Sequence, residues 1–392
     1  MDGKKLRSFD SSVVKDINEH LVLKLIQENE IISSSELVKQ TGMRPSTIFN
    51  ILKELSAKSF VSFYGKGDST NKGGKKPHIW NLNREAAYSI GLDIEVGEMS
   101  AVVLDFGGGI VAKKTVKIED SHHAEELVEN IKKVVNTVVE ENNLNTEKIL
   151  GLGIAVAGIV NTRSGVISIS SVVHEMNLPI LSKLTDLPFP VYIENNANAA
   201  AIGLDLKNKN SRRENCITVL VEIDQHVSGL GIGIILNGEI YRGTSFCAGE
   251  IFTHMPTLKE ILTNFRSRFH ESEYLREYSS NVEDIDIKIL LNAAKNEDKI
   301  AQQIFTVIGS IVGQIIAPAI GLLNPKSLVI TGVIAELDEL IIQSVRREIE
   351  LKAISFANNA LSIEVDKHHQ YSVSVGAAAL VLGKFFRMPS LG

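Results

Sequence analysis

Two cysteines in 392 residues, Cys216 and Cys247, exclude a disulfide framework and a cysteine-rich zinc site, and they suit a reducing compartment. Low-complexity tracts are also missing, so the chain reads as globular and long enough for two or three domains. The start, "MDGKKLRSFD", is basic but has no apolar run behind it, and no signal peptide is expected. Long hydrophobic runs are absent with one exception, "IFTVIGSIVGQIIAPAIGLL" at 304–323, which carries no charge. Gln314, Pro318 and three glycines inside it, with charged residues ahead of it, favour a buried core helix over a membrane span. The expectation is a cytoplasmic protein with no membrane partner.

Histidines and acids do not fall into metal spacings either. His122-His123 read as the solvated opening of a helix and His368-His369 as the close of a strand.

Charge is present but unevenly spread. Residues 1–85 hold 14 Lys+Arg against 10 Asp+Glu, and the remainder holds 27 against 37. A basic front on an acidic body suggests that only the front meets a polyanion.

That front has the order of a DNA-binding unit. "VVKDINEHLVLKLIQENEI" places Val14, Ile17, Leu21, Val22, Leu25 and Ile26 near one helical face. Ser33 and Glu36 have capping-box spacing for a second helix, broken by "TGM" after Gln40. Pro45 suits the first turn of a third, where its missing N–H would be unpaired anyway. Ile48, Ile51, Leu52 and Leu55 form its buried stripe, leaving Ser46, Thr47, Asn50 and Lys53 outside with Arg44 just ahead. Short polar side chains on such a second helix of a helix-turn-helix suit a major groove. Two β-rich runs, Phe60 to Tyr64 and His78 to Leu82, then flank a glycine-rich loop with Lys66, Lys72, Lys75 and Lys76. That is a wing whose backbone and ammonium groups can approach phosphates. Each piece alone also fits a plain helical hairpin or a solvated lysine loop; their order is what points to DNA. A winged helix-turn-helix over 1–84 is expected, followed by an α/β body over 85–392.

In the body, "YSIGLDIEVGEMSAVVLDFGGGIVAKKTVKI" reads as three strands, followed by a helix from Ala124 to Glu141 and the strand "LGLGIAVAGIV". A second meander, "CITVLVEIDQHVSGLGIGIILNGEIYRG", is again followed by helices and the strand "SLVITG". The repetition suggests duplicated halves around a cleft, the ordinary place for a ligand.

With "GGKKPHIWNLN", "LGIAVAGIV", "IENNANAAAIG", "SGLGIGIILNGEIYRG", "AGEIFTHM" and "LNPKSLVITG", nearly the whole chain resembles the ROK family. It looks like that family's transcriptional regulators, which join a winged helix to a sugar-kinase-like body. The resemblance implies two actin/hexokinase-like lobes of the duplicated ribonuclease-H kind, a sugar effector held by Asn195, Asn196, Glu250 and His254, and a homodimer. Against the family's kinases and zinc proteins the chain also shows four departures. Kinases place an aspartate, the general base, where this chain has Asn196, and an amide cannot accept that proton at a useful pKa. Their Asp-x-Gly-Gly-Thr reads "DIEVGE", with Glu95 and Val96 at the glycine positions, where a carboxylate repels a triphosphate and a branched side chain obstructs backbone approach. Their Gly-Thr-Gly loop reads Val227-Ser228-Gly229. The family's zinc cysteines are missing after His254, and His270 cannot replace them, so no metal is expected. The stretch has helical periodicity through Leu258, Ile261, Leu262 and Phe265 instead. Arg276 falls nearest to a family sugar-binding glutamate, which would admit an anionic sugar.

The resulting expectation is a sugar-responsive DNA-binding regulator, a repressor of carbohydrate genes, with operator DNA, a sugar or sugar derivative and a homodimer or higher homo-oligomer as partners, and with no cofactor and no catalysis. The alternatives are a sugar kinase with an attached DNA-binding domain, and a DNA-binding protein whose body serves dimerisation alone.

Overall fold

The computed structural model describes residues 11–67, 76–118, 123–207, 213–251, 253–353, 359–367 and 369–387. It opens with helix α1 (Ser11–Asn29), the short strand β1 (Ile31–Ser33), α2 (Ser34–Thr41) and α3 (Pro45–Ala57), then strands β2 (Val61–Lys66) and β3 (His78–Leu82). The Ser33 side chain accepts from the Glu36 N–H while Glu36 reaches back to the Ser33 N–H, so the capping box starts α2 as expected. Gly42 ends that helix at φ 69°, a left-handed position that favours glycine. Pro45 opens α3, and Ile48, Ile51, Leu52 and Leu55 are its buried residues. In α1 the inward side is carried by Val22, Leu23 and Ile26, whereas Val14 is exposed. The sheet order is β1-β3-β2, which makes this unit a winged helix with β1 as its third strand.

From Tyr88 the body builds two sheets of the same plan. The first contains β4 (Tyr88–Glu95), β5 (Glu98–Asp105) and β6 (Ile110–Lys117) as an antiparallel meander. Helix α4 (Ala124–Glu141) leads to β7 (Ile149–Val156), and a small hairpin, β8 (Ile159–Asn161) and β9 (Val166–Ile169), precedes β10 (Val191–Asn195). The order is β10-β7-β4-β5-β6, with β7 and β10 parallel to β4. Helix α5 (Asn196–Lys207) follows. The second sheet repeats the arrangement with β11 (Cys216–Ile223), β12 (Ser228–Leu236) and β13 (Glu239–Ile240). The helices α6 (Leu258–Thr263), α7 (Glu273–Tyr278), α8 (Ile287–Lys295) and α9 (Lys299–Leu323) come next. Then follow β14 (Ser327–Thr331), α10 (Asp338–Lys352), β15 (Ser362–Val365) and α11 (Ser372–Phe386). Its order, β13-β12-β11-β14-β15, mirrors the first, so the duplicated halves anticipated from the sequence are present.

The apolar run at 304–323 lies within α9, long and apolar enough by composition to cross a membrane, with Ile304, Phe305, Ile308, Val312, Ile316 and Ile320 turned into the second lobe's core.

Helix α11 is held unusually close. A Cβ on Gly91 of β4 would strike Ser374 and Ala378, one on Gly153 of β7 would strike Ala377, and one on Gly376 would strike the Ala199 carbonyl of α5. These glycines let helix backbone approach sheet and helix backbone directly. At its far end, Phe385 and Phe386 join Phe106 of the body and Phe60 of the winged helix. The ring centroids are 5.2 Å apart for Phe60–Phe106 and 5.0 Å for Phe106–Phe386. Winged helix and first lobe therefore share one apolar core rather than meeting at a loose linker.

Candidate effector site and nucleic-acid interface

Strand β10 delivers the candidate site. Its parallel register with β7 sets Asn195 level with Val156, at the carboxyl end of the sheet, and Asn196 begins α5 there. In open α/β sheets such strand ends are where ligands sit. The Asn195 amide nitrogen donates to the Gly158 carbonyl at 2.9 Å and to Glu250 Oε1 at 3.4 Å, while its Oδ1 accepts from the Asn198 N–H at 3.1 Å. It caps the helix and also reaches the loop after β13. Asn196 donates to Glu222 Oε1 at 2.9 Å and accepts from the Ala197 N–H at 2.9 Å.

The structure thus brings Asn195, Asn196 and Glu250 together and leaves His254 apart. The His254 side chain is 74% exposed, and its ion-pair partner is Glu260 of α6 at 3.6 Å. Arg276 lies exposed on α7, donating to the Ser272 carbonyl at 3.1 Å, and His270 is exposed in the preceding turn.

Several residues in the site were not singled out from the sequence. Glu194 is buried; Arg242 Nε donates to it at 2.9 Å and Asn198 Nδ2 at 3.1 Å, so its charge is spent on holding the loop after β13 against α5. Glu222, near the end of β11, is the carboxyl neighbour that Asn196 acquires on folding. Burial, reinforced by the Glu95 charge and opposed by the Asn196 hydrogen bond, raises Glu222 to about 7. Asp93 is buried at the end of β4, and desolvation with the Glu95 and Glu222 carboxylates beside it lifts its pKa well above the ordinary range. Three carboxyl groups, Asp93, Glu95 and Glu222, therefore crowd the strand ends. Ser228 Oγ donates to the Met255 carbonyl at 2.5 Å, which commits the hydroxyl of the Val227-Ser228-Gly229 loop to the protein. Among the described residues no group of three or more His, Cys, Asp or Glu is placed to hold a metal ion.

On the winged helix, Arg44, Ser46, Asn50 and Lys53 are exposed along α3 and Thr47 is half-buried. Lys66 is exposed at the end of β2 and Lys76 just ahead of β3; Lys72 and Lys75 lie outside the described residues. Phe49, which the polar pattern did not single out, is 60% exposed on the same helix, and Phe63 and Tyr64 are exposed on β2. Phe63 packs edge-on to Trp80, with centroids 5.9 Å apart.

The sequence pattern of the ROK family matches residues 89–262 and 271–384, and the chain belongs to that family. The winged helix lies ahead of the match, and the gap between its two parts, residues 263–270, falls in the cysteine-free stretch after His254. A xylose repressor of Caldicellulosiruptor bescii is 25% identical over 401 residues, covering 96% of this chain and 98% of the relative. Among solved structures, a ROK family transcriptional regulator, a homologue of the Escherichia coli MLC protein, superposes with a TM-score of 0.74 at 20% identity, covering 95% of this chain and 97% of that one. A ROK family glucokinase from Streptomyces griseus, solved with glucose and AMPPNP, covers 75% of this chain and 99% of its own, with a TM-score of 0.64 at 22% identity. The regulator shares the whole architecture, and the kinase shares the body.

Proposed function

We propose that this chain is a sugar-responsive transcriptional regulator of carbohydrate genes, working in the cytoplasm as a homodimer on operator DNA. The observation that carries the reading is the pairing of Asn196 with Glu222 at the head of α5, in a body fused through a shared core to a winged helix. Two side-chain amides and Glu250 supply the donors and acceptors that paired sugar hydroxyls need, and a site so built rejects analogues lacking those hydroxyls. We include His254 as a residue that closes onto a bound sugar. The division of labour falls at residues 84 and 85, with α3 and the wing lysines, including Lys72 and Lys75, on the DNA. Xylose is the first sugar to try, because full-length relatives are named for it. The path from sugar to DNA runs from α5 through α11, packed on it at Gly376, to the aromatic joint with Phe60. A path of this kind stands on coupling measurements, not on contiguity alone.

Fluorescence anisotropy on DNA upstream of the chain's own gene, with and without a panel of aldoses, tests this. Asn50→Ala is expected to weaken specific binding by about tenfold, the usual cost of one lost base contact. Asn195→Ala should leave DNA affinity intact while abolishing its response to sugar. Sugars that bind without changing DNA affinity would sink the regulatory reading and leave the body a dimerisation module.

One observation favours a kinase reading: a carboxyl group near 7 is well matched to proton abstraction, and Glu222 is such a group. ATP turnover with hexoses above background, lost in Glu222→Gln, would establish it; the acids at the strand ends argue for no turnover.

A further inference from the structure

A cavity of about 560 Å³ opens where the winged helix meets the body. It lies far from the Asn195 site. Strand β4 pairs Tyr88 with Asp105 at one end and Glu95 with Glu98 at the other. The cavity borders the turn after Asp105 and, at Leu206, the far end of α5 from Asn196, so the two places are about 15–20 Å apart.

Its walls are cationic. Arg84, Lys113 and Lys367 line it with His369, and no carboxylate is among its lining residues. The carboxylates that answer these groups are outside the lining. Arg84 reaches Asp105 at 3.3 Å and Glu30 at 3.2 Å, Lys367 reaches Asp338 at 3.7 Å, and His369 reaches Glu336 at 3.1 Å. The Lys113 ammonium stands over the Tyr371 ring, 4.9 Å from the centroid. Asp105 is drawn back by the glycine turn, accepting from the N–H groups of Gly107 and Gly109 at 2.8 Å each. Tyr371, Ile110 and Val375 supply an apolar flank. Cations gathered around an open cavity, beside a ring and aliphatic surface, match a charged head on a small apolar or cyclic body.

We propose that this cavity is a second ligand site, separate from the sugar site, which takes a small organic anion: a phosphate monoester or a carboxylate carrying a ring. The anionic head sits among Lys113, Lys367 and Arg84, and the body lies against Tyr371. Arg84 makes the site regulatory. Its guanidinium ties Glu30, just past the end of α1, to Asp105 of the body. An anion that pairs with Arg84 competes with Glu30 and loosens that tie, so occupancy changes how firmly the winged helix is held.

The test uses the full chain with three probes, phenyl phosphate, benzoate and inorganic phosphate, against sodium chloride at matched ionic strength. None of the three has sugar hydroxyls, and Asn195→Ala controls for an anion held by the amides of the interlobe site. A saturable rise in melting temperature below about 10 mM is expected for at least one ring-bearing anion, through stabilisation of the folded state by mass action. Phenyl phosphate or benzoate alone identifies the head group; inorganic phosphate should bind more weakly than phenyl phosphate. The double variant Lys113→Gln, Lys367→Gln should lose about tenfold in affinity by titration calorimetry, whereas Asn195→Ala should bind as the parent does. No saturable shift beyond chloride, or affinity unchanged in the double variant, overturns the proposal. Affinity lost in Asn195→Ala but kept in the double variant also overturns it, by placing the anion in the interlobe site.

Discussion

Replacing Phe106 by alanine is expected to destabilise the protein by about 3–5 kcal/mol, the range for emptying a fully buried aromatic site that cannot collapse. Phe106 has no exposed surface and stands at the centre of the joint, against Phe60, Phe385 and Phe386. One of those rings belongs to the winged helix and two to α11, so a cavity there weakens both contacts together. Urea unfolding followed by circular dichroism measures the loss, and Phe106→Leu, which refills most of the volume, should recover about half of it. Sugar-dependent DNA affinity should fall in parallel, because the route proposed for the signal passes through this cluster. A loss below about 1 kcal/mol would mean that the rings pack too loosely to carry anything.

Glu222→Gln is expected to stabilise the protein, and to do so as a function of pH. A carboxyl raised from 4.5 to about 7 in the folded state is favourable to leave protonated, and folding is penalised once it must ionise. Below pH 4.5 both states bind the proton and the wild-type residue costs nothing. As pH rises through 7 the penalty grows to its limit, about 3 kcal/mol for a shift of this size. The amide removes the titration and keeps an oxygen for Asn196. The variant's advantage should therefore be under about 1 kcal/mol at pH 5 and about 2–3 kcal/mol at pH 8. Unfolding midpoints at those two pH values decide it; an advantage that does not change with pH would show that Glu222 is already ionised in the native state.

How far these features could be read in advance depends on the range of the interaction behind them. The winged helix was legible because its signals are local: Ser33 and Glu36 are three residues apart, Pro45 marks its own helix, and the α3 stripe repeats within four turns. Helix α4 was legible for the same reason. Strand β1 was not, since three residues carry no period and its partner β3 lies almost fifty residues on. Glu222 reads as an ordinary polar residue near a strand end, because nothing local says that the fold sets it against Asn196 and Glu95. His369 looked like the close of a strand but opens the short turn before α11, and its neighbours in the cavity come from residues as distant as Arg84. Phe49 shows the opposite difficulty: a polar helix face predicts an exposed surface but not that a large apolar ring shares it.

Gly91, Gly153 and Gly376 leave α11 no slack. A helix seated backbone to backbone can neither slide nor tilt without prising the strands beneath it apart, so it travels with the first lobe as one casting, and the DNA reader bolted on at Phe60 travels with it. The corresponding seat on the second lobe is Gly233 of β12, where a Cβ would strike the Ala197 carbonyl of α5. If two copies pair through their second lobes, a rotation between the lobes moves the two readers relative to one another. On the function proposed above, a sugar would act on the operator through that movement, with no change of shape in the reader itself.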